Sequence, residues 1–395
     1  MEIAELLEII AHGEDSRHQF KANVTNETSL ARELVAFSNS GGGNLFIGVS
    51  DDGTFTGLTR EDMGRLNQLV SNAASQQVRP PVNISTPDGL VMRVIVPDGI
   101  SKPYMDKDGV IWVKSGADKR KATSREEIQR LYQSAGLIHG DEIPVPGMTL
   151  ADLDIDYFKQ FFEKTFGEPI EEHELSLQDI LHNMNLMRDG VLNVSGALLF
   201  AEHPHLRLPV FTVKAVAFPG TDIHETTYQD SRDITGKLAD MFHQSMSFVI
   251  ANIRHIQDDQ NVNAPGRPEI PRITLEELIV NALIHRDYFV SAPVRIFVFD
   301  NRVEIISPGH LPNNLTVEKI LAGNSNIRNP ILISYVAKGL LPYHGLGSGI
   351  KRVLDAWPRI DFNDDRDGCL FTATVHRKPA EELELFSQTL VKTPD

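Results

Sequence analysis

The alternation of apolar and polar positions predicts helices and strands in the first third of the chain. Apolar residues recur every three or four positions over 29–39 and 61–74, which is the spacing of one buried helix face. Runs rich in β-branched and other apolar residues at 90–96 and 110–114 predict strands, because such side chains suit a pleated sheet. Residues 1–138 are therefore predicted to form one α+β domain.

The rest of the chain is predicted to contain two further structured regions. Residues 139–150 are rich in Pro and Gly and are predicted to be a linker. Residues 151–268 combine predicted helices with apolar strands, so this middle region is predicted to be mixed α/β. A C-terminal domain is predicted over 269–378, followed by a tail over 379–395. The fold class predicted for the whole chain is multidomain α+β.

A helix predicted over 274–288 is apolar except for one polar stripe. Glu277, Asn281 and His285 follow at intervals of four, which places them on one side of a helix. A carboxylate and an amide on one face can share a metal ion or a water molecule. Thr274 and Glu277 also form a capping-box pattern, in which Glu277 would only cap the helix start. Capping does not explain Asn281, since Asn is a poor residue inside a helix.

The sequence after this helix adds a hairpin and two loops. The β-prone runs 294–299 and 302–306 flank Asp300-Asn301, which predicts a β-hairpin. Residues 307–312, Ser-Pro-Gly-His-Leu-Pro, predict a sharp loop. Residues 345–349, Gly-Leu-Gly-Ser-Gly, precede a predicted helix. A glycine-rich loop at a helix N-terminus exposes backbone N–H groups, which suits a phosphate.

Together these motifs resemble the divergent GHKL-type ATPase domain (gyrase, Hsp-type chaperone, histidine kinase, MutL) of RecG-like helicase-related regulators. The resemblance covers roughly 270–376 and implies a GHKL-like α/β sandwich. It rests on Glu277-x-x-x-Asn281, His285-Arg-Asp-Tyr288, Ser307-Pro-Gly-x-Leu-Pro312, Arg328-Asn-Pro330 and Gly345-x-Gly-x-Gly349.

The same resemblance implies a set of roles for these residues. Glu277 would be catalytic and position the attacking water, Asn281 would bind Mg²⁺, and the glycine-rich loop would wrap the phosphates of ATP. The other nucleotide-binding residues that it implies are His285, Asp287, Ser307, Gly309, Arg328, Gly345, Gly347 and Gly349. The pattern departs from the family at Ser307-Pro-Gly309, where these ATPases usually carry an Asp that hydrogen-bonds adenine.

Basic and aromatic residues cluster near the end of the first domain. Lys114, Lys119, Arg120 and Lys121 lie beside Trp112 and Tyr104 in the sequence. Such residues supply phosphate contacts and stacking faces of the kind that single strands or RNA favour. The alternative is a solvated charged loop without a ligand.

The first domain resembles the Schlafen-type AlbA-like domain, a nucleic-acid-binding module. The resemblance rests on Phe20-Lys21, Ala36-Phe-Ser-Asn-Ser-Gly-Gly-Gly43, Phe46-Ile-Gly-Val49, Asp51-Asp-Gly53, Lys102-Pro-Tyr104 and Val113-Lys-Ser-Gly-Ala-Asp-Lys-Arg-Lys-Ala-Thr123. It implies contacts to DNA or RNA from Lys21, Tyr104, Trp112, Lys114, Lys119, Arg120 and Lys121.

Nuclease members of the Schlafen group hold a metal with two Glu residues and a later Asp. The resemblance places Glu14, Gln19 and Asp51 at these positions. An amide at Gln19 weakens a divalent-metal site that is built on carboxylate oxygens. Nuclease activity, with Glu14 and Asp51 as metal ligands, is therefore the less favoured alternative.

Composition narrows the class of protein. The chain has 395 residues, of which 41% are hydrophobic and 23% charged, and its net charge is −16. This charge argues against a generally basic nucleic-acid-binding surface but allows a local basic patch. No apolar run is long enough to span a bilayer, the amino terminus is acidic, and Cys369 is the single cysteine. We therefore expect a cytoplasmic protein without a membrane partner.

We expect an ATP-binding regulator in which Mg-ATP in the C-terminal domain is coupled to DNA or RNA binding by the N-terminal domain, in transcription regulation or phage defence. A homodimer or larger assembly is expected by resemblance, because GHKL domains often dimerise on ATP. The alternatives are a metal-dependent nuclease switched by ATP and a catalytically inactive oligomeric scaffold. The sequence contains no Gly-x-x-x-x-Gly-Lys-Ser/Thr motif, so no helicase motor is expected.

Overall fold

The computed structural model describes residues 3–74, 78–223, 227–256, 266–312, 315–343 and 349–379. Its chain divides after Ile138 into two units, Met1–Ile138 and His139–Asp395. The mixture of helices and sheets confirms the predicted α+β class. Within the described residues, no helix combines the length and the apolar character that crossing a membrane requires.

The first unit is built on a four-stranded sheet. The strands of this unit are β1 His18–Lys21, β2 Gly43–Ile47, β3 Val82–Thr86, β4 Gly89–Val96, β5 Trp112–Ser115 and β6 Asp118–Lys121, of which β1 to β4 form the sheet. Its helices are α1 Ile3–His12, α2 Glu27–Asn39, α3 Arg60–Ala73 and α4 Arg125–Ser134. The sheet order is β1-β2-β4-β3, with β1 parallel to β2 and the other pairs antiparallel. Strands β5 and β6 form a separate hairpin that packs on α2.

Helix α2 is the centre of the first unit. Asn26 caps its start, since the Asn26 side chain accepts a hydrogen bond from the backbone N–H of Ser29. The apolar residues Leu30, Leu34 and Phe37 then join a core with residues of β2, β4 and α3. Because α2 also contacts the β5–β6 hairpin, it links the sheet to the basic segment.

The second unit is larger and contains the remaining elements. Its helices are α5 Ile155–Phe166, α6 Leu177–Asn183, α7 Val194–Phe200, α8 Leu238–Asn252, α9 Arg272–Ile284, α10 Val317–Leu321, α11 Pro330–Tyr335 and α12 Gly349–Ala356. Its strands are β7 Met187–Arg188, β8 Val191–Leu192, β9 Val213–Ala217, β10 Asp230–Ile234, β11 His255–Ile256, β12 Arg267–Pro268, β13 Val294–Val298, β14 Arg302–Pro308, β15 Ile360–Asp365 and β16 Leu370–His376.

A six-stranded sheet organises the second unit. Its order is β10-β9-β13-β14-β16-β15, and only the β9–β13 pair is parallel. Alternate residues of β9, β13 and β14 are buried and share a core with α8 and α9. The sheet therefore draws strands from both the predicted middle region and the predicted C-terminal domain.

The predicted linker, residues 139–150, is packed into the second unit. Val145 and Met148 are buried in its core. The backbone N–H of Val145 donates to the Leu192 carbonyl, and the N–H of Leu192 donates to the Met148 carbonyl. Its Pro and Gly content suggested a linker, but the segment is packed against the second unit by buried side chains and strand-like hydrogen bonds.

Asp141 anchors this segment to α11. Its side chain is fully buried, and Oδ2 accepts hydrogen bonds from the backbone N–H groups of Ile331 at 2.9 Å and Leu332 at 3.0 Å. These N–H groups lie at the N-terminal end of α11, where a helix has no internal acceptors for them. Burial raises the pKa of Asp141 to about 6, against the opposing effect of the two hydrogen bonds.

We expect Asp141 to make the second unit less stable as pH rises from about 4 to about 7. Its pKa is about 6 in the folded protein and 3.8 ordinarily, so the folded state retains a proton that the unfolded state has lost. The difference corresponds to about 3 kcal/mol in the free energy of unfolding. Chemical denaturation across this range should show the decrease in the wild type and not in Asp141→Asn.

The matched control is Asp367→Asn, which removes an exposed carboxylate from the same unit. This variant should keep the pH dependence of the wild type. An Asp141→Asn profile that runs parallel to the wild-type profile would contradict the assignment.

Candidate functional site

A cavity of about 130 Å³ in the second unit is bordered by α9, β14, α10 and α12. The predicted residues that line it are Glu277, Asn281, His285, Ser307, Gly309, Arg328 and Gly349. Asp287 is near the cavity but does not line it. Gly345 and Gly347 lie outside the described residues. The polar stripe of α9 thus faces a cavity, while apolar residues such as Leu275, Ile279 and Leu283 pack in the core.

The capping-box alternative for Glu277 is wrong. The helix begins at Arg272 with Pro271 at the cap position, so Thr274 is already inside the first turn, where its side chain is buried. The Glu277 carboxylate points instead to two side chains. Its Oε1 accepts a hydrogen bond from Asn281 Nδ2 at 3.3 Å, and its Oε2 lies 3.2 Å from Arg352 Nη2.

Gly349 allows α12 to approach Glu277. A Cβ atom placed on Gly349 would collide with the Glu277 carboxylate, so only glycine fits there without a shift. Gly349 is also the first residue of α12, and the N-terminal end of a helix carries a partial positive charge. Glu277, which is 7% exposed, is therefore held between a helix N-terminus and the Arg352 guanidinium.

His285 and Tyr343 form the next part of the wall. His285 Nε2 lies 3.4 Å from the Tyr343 hydroxyl. Burial, together with the positive charge of Arg328, lowers the pKa of His285 to about 4. The imidazole is therefore neutral at pH 7. Burial and the nearby Glu277 raise the pKa of Tyr343, so its hydroxyl stays protonated.

Arg328 and Asn329 fix the end of α9 against the loop after β14. Arg328 Nη2 donates to the His310 carbonyl at 2.7 Å, and Arg328 Nη1 lies 3.4 Å from the His285 carbonyl. Asn329 Nδ2 donates to the carbonyls of Ile284 and Arg286, both at 2.8 Å. These donors satisfy carbonyls that a helix C-terminus leaves without partners. Arg328 also lines the cavity with a buried guanidinium.

The loop that contains Ser307 and Gly309 is shaped by its backbone. Gly309 has φ +102°, and a Cβ there would lie 2.5 Å from the Cβ of Asp287 and 2.6 Å from Nη1 of Arg328. The Ser307 hydroxyl donates to the Ala282 carbonyl at 3.0 Å. Asp287 shapes a turn, because its Oδ1 accepts from the backbone N–H of Phe289. The side chains of Ser307 and Asp287, both predicted to bind the nucleotide, thus already form hydrogen bonds within the protein.

Part of the cavity wall is apolar. It is formed by Leu278, Ile305, Leu311, Ile320, Ile350 and Phe371. Glu277 is the only carboxylate among the described lining residues. The cavity therefore combines an apolar surface for a ring with a polar end formed by Glu277, Asn281 and Arg352. Arg328 and the amides of Asn324 and Asn326 also line the cavity.

The sequence motifs missed Arg352, Tyr343 and Asn329. Arg352 follows Gly349 by three residues, which places the two on the same side of α12. A basic residue one turn after a glycine-rich loop could have indicated it. Asn329 was quoted as part of a motif, but its contacts to the end of α9 depend on the tertiary structure.

Lys114 in the first unit does not have its expected role. Its side chain is 1% exposed, and its Nζ donates to Gln19 Oε1 at 2.6 Å and to Glu33 Oε1 at 3.0 Å. A third hydrogen bond goes to the Ala117 carbonyl. Because the ammonium group is buried and its three donors are used, Lys114 cannot contact a nucleic-acid phosphate here.

The other basic residues of this segment are more accessible. Lys119 pairs with Glu33 at 2.7 Å and is partly exposed. Arg120 forms two hydrogen bonds to Glu127, and Lys121 is exposed beside the Trp112 ring. The basic patch of the first unit therefore depends chiefly on Arg120 and Lys121.

Two further predicted contacts, Lys21 and Tyr104, have local partners. Lys21 Nζ lies 3.7 Å from Asp51 Oδ1 in an exposed pair. Tyr104 is partly buried, and its backbone exchanges hydrogen bonds with the Asn39 side chain. The contacts of Lys21 and Tyr104 with a nucleic acid stay predictions.

The predicted metal ligands of the nuclease alternative have other partners. Glu14 Oε1 accepts hydrogen bonds from Gln19 Nε2 and from the backbone N–H of Phe20, both at 2.7 Å. Asp51 is 80% exposed and pairs with Lys21. Across the described ranges, no group of three or more His, Cys, Asp or Glu residues is placed to hold a metal ion.

We expect Gly349→Ala to destabilise the second unit, because the added methyl group would force apart α12 and the Glu277 carboxylate. Overpacking of this kind costs roughly 1–3 kcal/mol. The control is Gly64→Ala in α3, where an added Cβ meets nothing within 4 Å. That change should be neutral or stabilise by about 0.5–1 kcal/mol. Equal free energies of unfolding for both variants, measured by urea denaturation, would contradict the described contact.

Comparison with known proteins places two family matches on the chain. Residues 14–123 match the family described as "Schlafen, AlbA_2", and residues 291–364 match the family described as "Putative ATP-dependent DNA helicase recG C-terminal". The second match begins after α9 and does not include Glu277 and Asn281, whose roles stay predictions.

No curated protein sequence matches the chain. Among solved structures, the DIP2311 protein from Corynebacterium diphtheriae is similar at 23% identity and a TM-score of 0.45, covering 98% of this chain and 82% of that chain. Both resemblances drawn from the motifs are confirmed by the family matches. The chain therefore joins a domain of the Schlafen AlbA_2 family to a C-terminal domain of the RecG C-terminal family.

Proposed function

We propose that the protein is a nucleic-acid-binding regulator that binds Mg-ATP in the cavity of the second unit. The AlbA_2 family suggests nucleic-acid binding, and the RecG-like family suggests an ATP-related function. The observation that carries the proposal is the pair of Glu277 and Asn281, which lines the cavity where the N-terminus of α12 packs against the Glu277 carboxylate.

The chemistry of the cavity suits a nucleotide. Its apolar wall offers a surface for a base, and the N-terminus of α12 favours a negatively charged group. Arg328 and Arg352 add two positive charges. Neutral His285 adds no charge of its own at pH 7.

Asn281 is the candidate ligand for Mg²⁺. Its Nδ2 is engaged by Glu277, which leaves the amide oxygen to bind a hard cation. When bound, Mg²⁺ would neutralise charge on the phosphate oxygens. Glu277 is the candidate proton acceptor for a water molecule, because it is the only carboxylate among the described residues of the wall. We propose slow hydrolysis, since one Glu277 oxygen is held by the hydrogen bond from Asn281.

Recognition of adenine would differ from the family pattern. The Ser307 hydroxyl is held by the Ala282 carbonyl, and the sole described carboxylate of the wall lies at the polar end. Contact with the apolar wall would then dominate base binding, and such contact discriminates weakly between purines.

The first unit would bind DNA or RNA through a small basic patch. Arg120 and Lys121 lie on β6, and the Trp112 ring beside them has Arg32 and Lys121 over it. Stacking of a base on Trp112 would require one of these cations to move. The net charge of −16 restricts binding to such a local patch and makes it sensitive to salt. Within this proposal the protein acts in the cytoplasm as a homodimer or larger assembly, in transcription regulation or phage defence.

We expect Asn281→Ala to weaken Mg-ATP binding by about tenfold, because the cation loses an oxygen ligand. Calorimetric titration of ATP with and without Mg²⁺ would measure this. Asn363→Ala, on the exposed face of β15, should bind like the wild type. Undiminished binding by Asn281→Ala would remove this residue from the site, and absence of binding by the wild type would refute the proposal.

We expect the double substitution Arg120→Gln/Lys121→Gln to weaken binding of single-stranded DNA or RNA. If both residues contact phosphates, the slope of log affinity against log salt should fall by about 1.4. Fluorescence anisotropy at several salt concentrations would measure it. The control Arg60→Gln/Lys107→Gln also removes two exposed positive charges from the first unit. An equal loss in the control would mean that the effect comes from overall charge.

A further inference from the structure

Arg352 connects the helix after the glycine-rich loop to the candidate catalytic carboxylate. Its Nη2 lies 3.2 Å from Glu277 Oε2, although the two residues are 75 positions apart. We infer that Arg352 is a phosphate-responsive latch, which holds Glu277 when the cavity is empty and turns to the phosphates when a nucleotide binds. This inference rests on the proposed function.

Glu277 in its present arrangement is poorly placed to accept a proton. Oε1 accepts from Asn281 and Oε2 is paired with Arg352, so both oxygens already have a hydrogen-bond partner. Release of Arg352 would free one oxygen and make Glu277 a better acceptor for a water molecule.

The geometry of Arg352 allows such a movement. Its side chain is 41% exposed, whereas the Glu277 side chain is 8% exposed. A hydrogen bond through Nη2 joins it to Glu277, and its Nε is buried without a hydrogen-bond partner. The Arg352 guanidinium therefore has N–H donors available for a second anion. Because the Arg352 side chain is more exposed than that of Glu277, Arg352 is the partner that can rotate away.

A polyphosphate would compete strongly for this guanidinium. Arginine binds phosphate in a bidentate manner with two parallel hydrogen bonds, whereas its contact with Glu277 uses one nitrogen. A triphosphate also carries more negative charge than one carboxylate. Arg352 lies one turn after Gly349 in α12 and on the same side of the helix as Gly349. It is therefore close to the N-terminal end of α12, which favours an anion.

Calorimetric titration with Mg-ATP and with inorganic triphosphate tests the latch. Arg352→Gln should weaken both ligands about tenfold or more. Lys351→Gln removes the same charge from the neighbouring exposed position and should change affinity by less than about twofold. Arg352→Lys keeps the charge without the bidentate fork and should fall between the wild type and Arg352→Gln.

Glu277→Gln separates the latch from a merely structural role. Removing the carboxylate that competes for Arg352 should strengthen triphosphate binding, and this gain should be smaller when Arg352 is already Gln. A gain of the same size in both backgrounds would overturn the latch, because it would reflect only the loss of a negative charge. Unchanged or tighter binding by Arg352→Gln, with a wild-type melting temperature, would also overturn it.

The same titrations separate this inference from the proposed function. A wild type that binds triphosphate through Arg352 but not ATP would contradict nucleotide binding and support the latch. A wild type that binds ATP and is weakened by Asn281→Ala but not by Arg352→Gln would keep the proposed function and refute the latch. Binding of neither ligand would refute both.

Discussion

The close approach of Gly349 to the Glu277 carboxylate is the contact on which the candidate site depends. It brings the N-terminus of α12 against the middle of α9 and leaves no room for a side chain between them. Arg352 and Asn281 then contact the two carboxylate oxygens. A buried carboxylate requires such partners, because an unpaired charge in this position would be costly. One glycine thus sets the geometry of the polar end of the cavity.

Three buried polar residues hold the rest of the site around this point. Asn329 binds the last carbonyls of α9, while Arg328 joins the end of α9 to the His310 carbonyl. Asp141 fixes the start of α11, which directly follows Asn329. The segment predicted as a linker is therefore a support for the site. It acts through α11 and through His139, whose Nδ1 lies 3.1 Å from the carbonyl oxygen of the cavity-lining residue Arg328.

Local patterns in the sequence were sufficient for much of the fold. The spacing of apolar residues predicted α2, and the interval of four predicted the polar stripe of α9, because helical periodicity depends only on neighbouring residues. The β13–β14 hairpin was also predicted, since its strands flank a short turn. These features need no knowledge of tertiary structure, and the α+β class follows from them.

Distant pairings could not be predicted in this way. Lys114 was expected at a nucleic-acid surface, but its partners Gln19 and Glu33 lie 95 and 81 residues away and bury it. Asp141 meets Ile331 across 190 residues, and Arg352 meets Glu277 across 75. The parallel pairing of β9 with β13 likewise depends on topology. Composition and spacing describe such residues as basic, acidic or apolar, but burial decides what they contact.

The central claim is that a nucleotide binds between α9 and α12 of the second unit. Hydrogen exchange of the full chain, followed by mass spectrometry with and without a non-hydrolysable Mg-ATP analogue, tests it most directly. The account predicts slower exchange in 272–285, 305–311 and 349–356 when the analogue is present. Unchanged exchange in these segments at saturating analogue, or protection confined to residues 3–138, would contradict it.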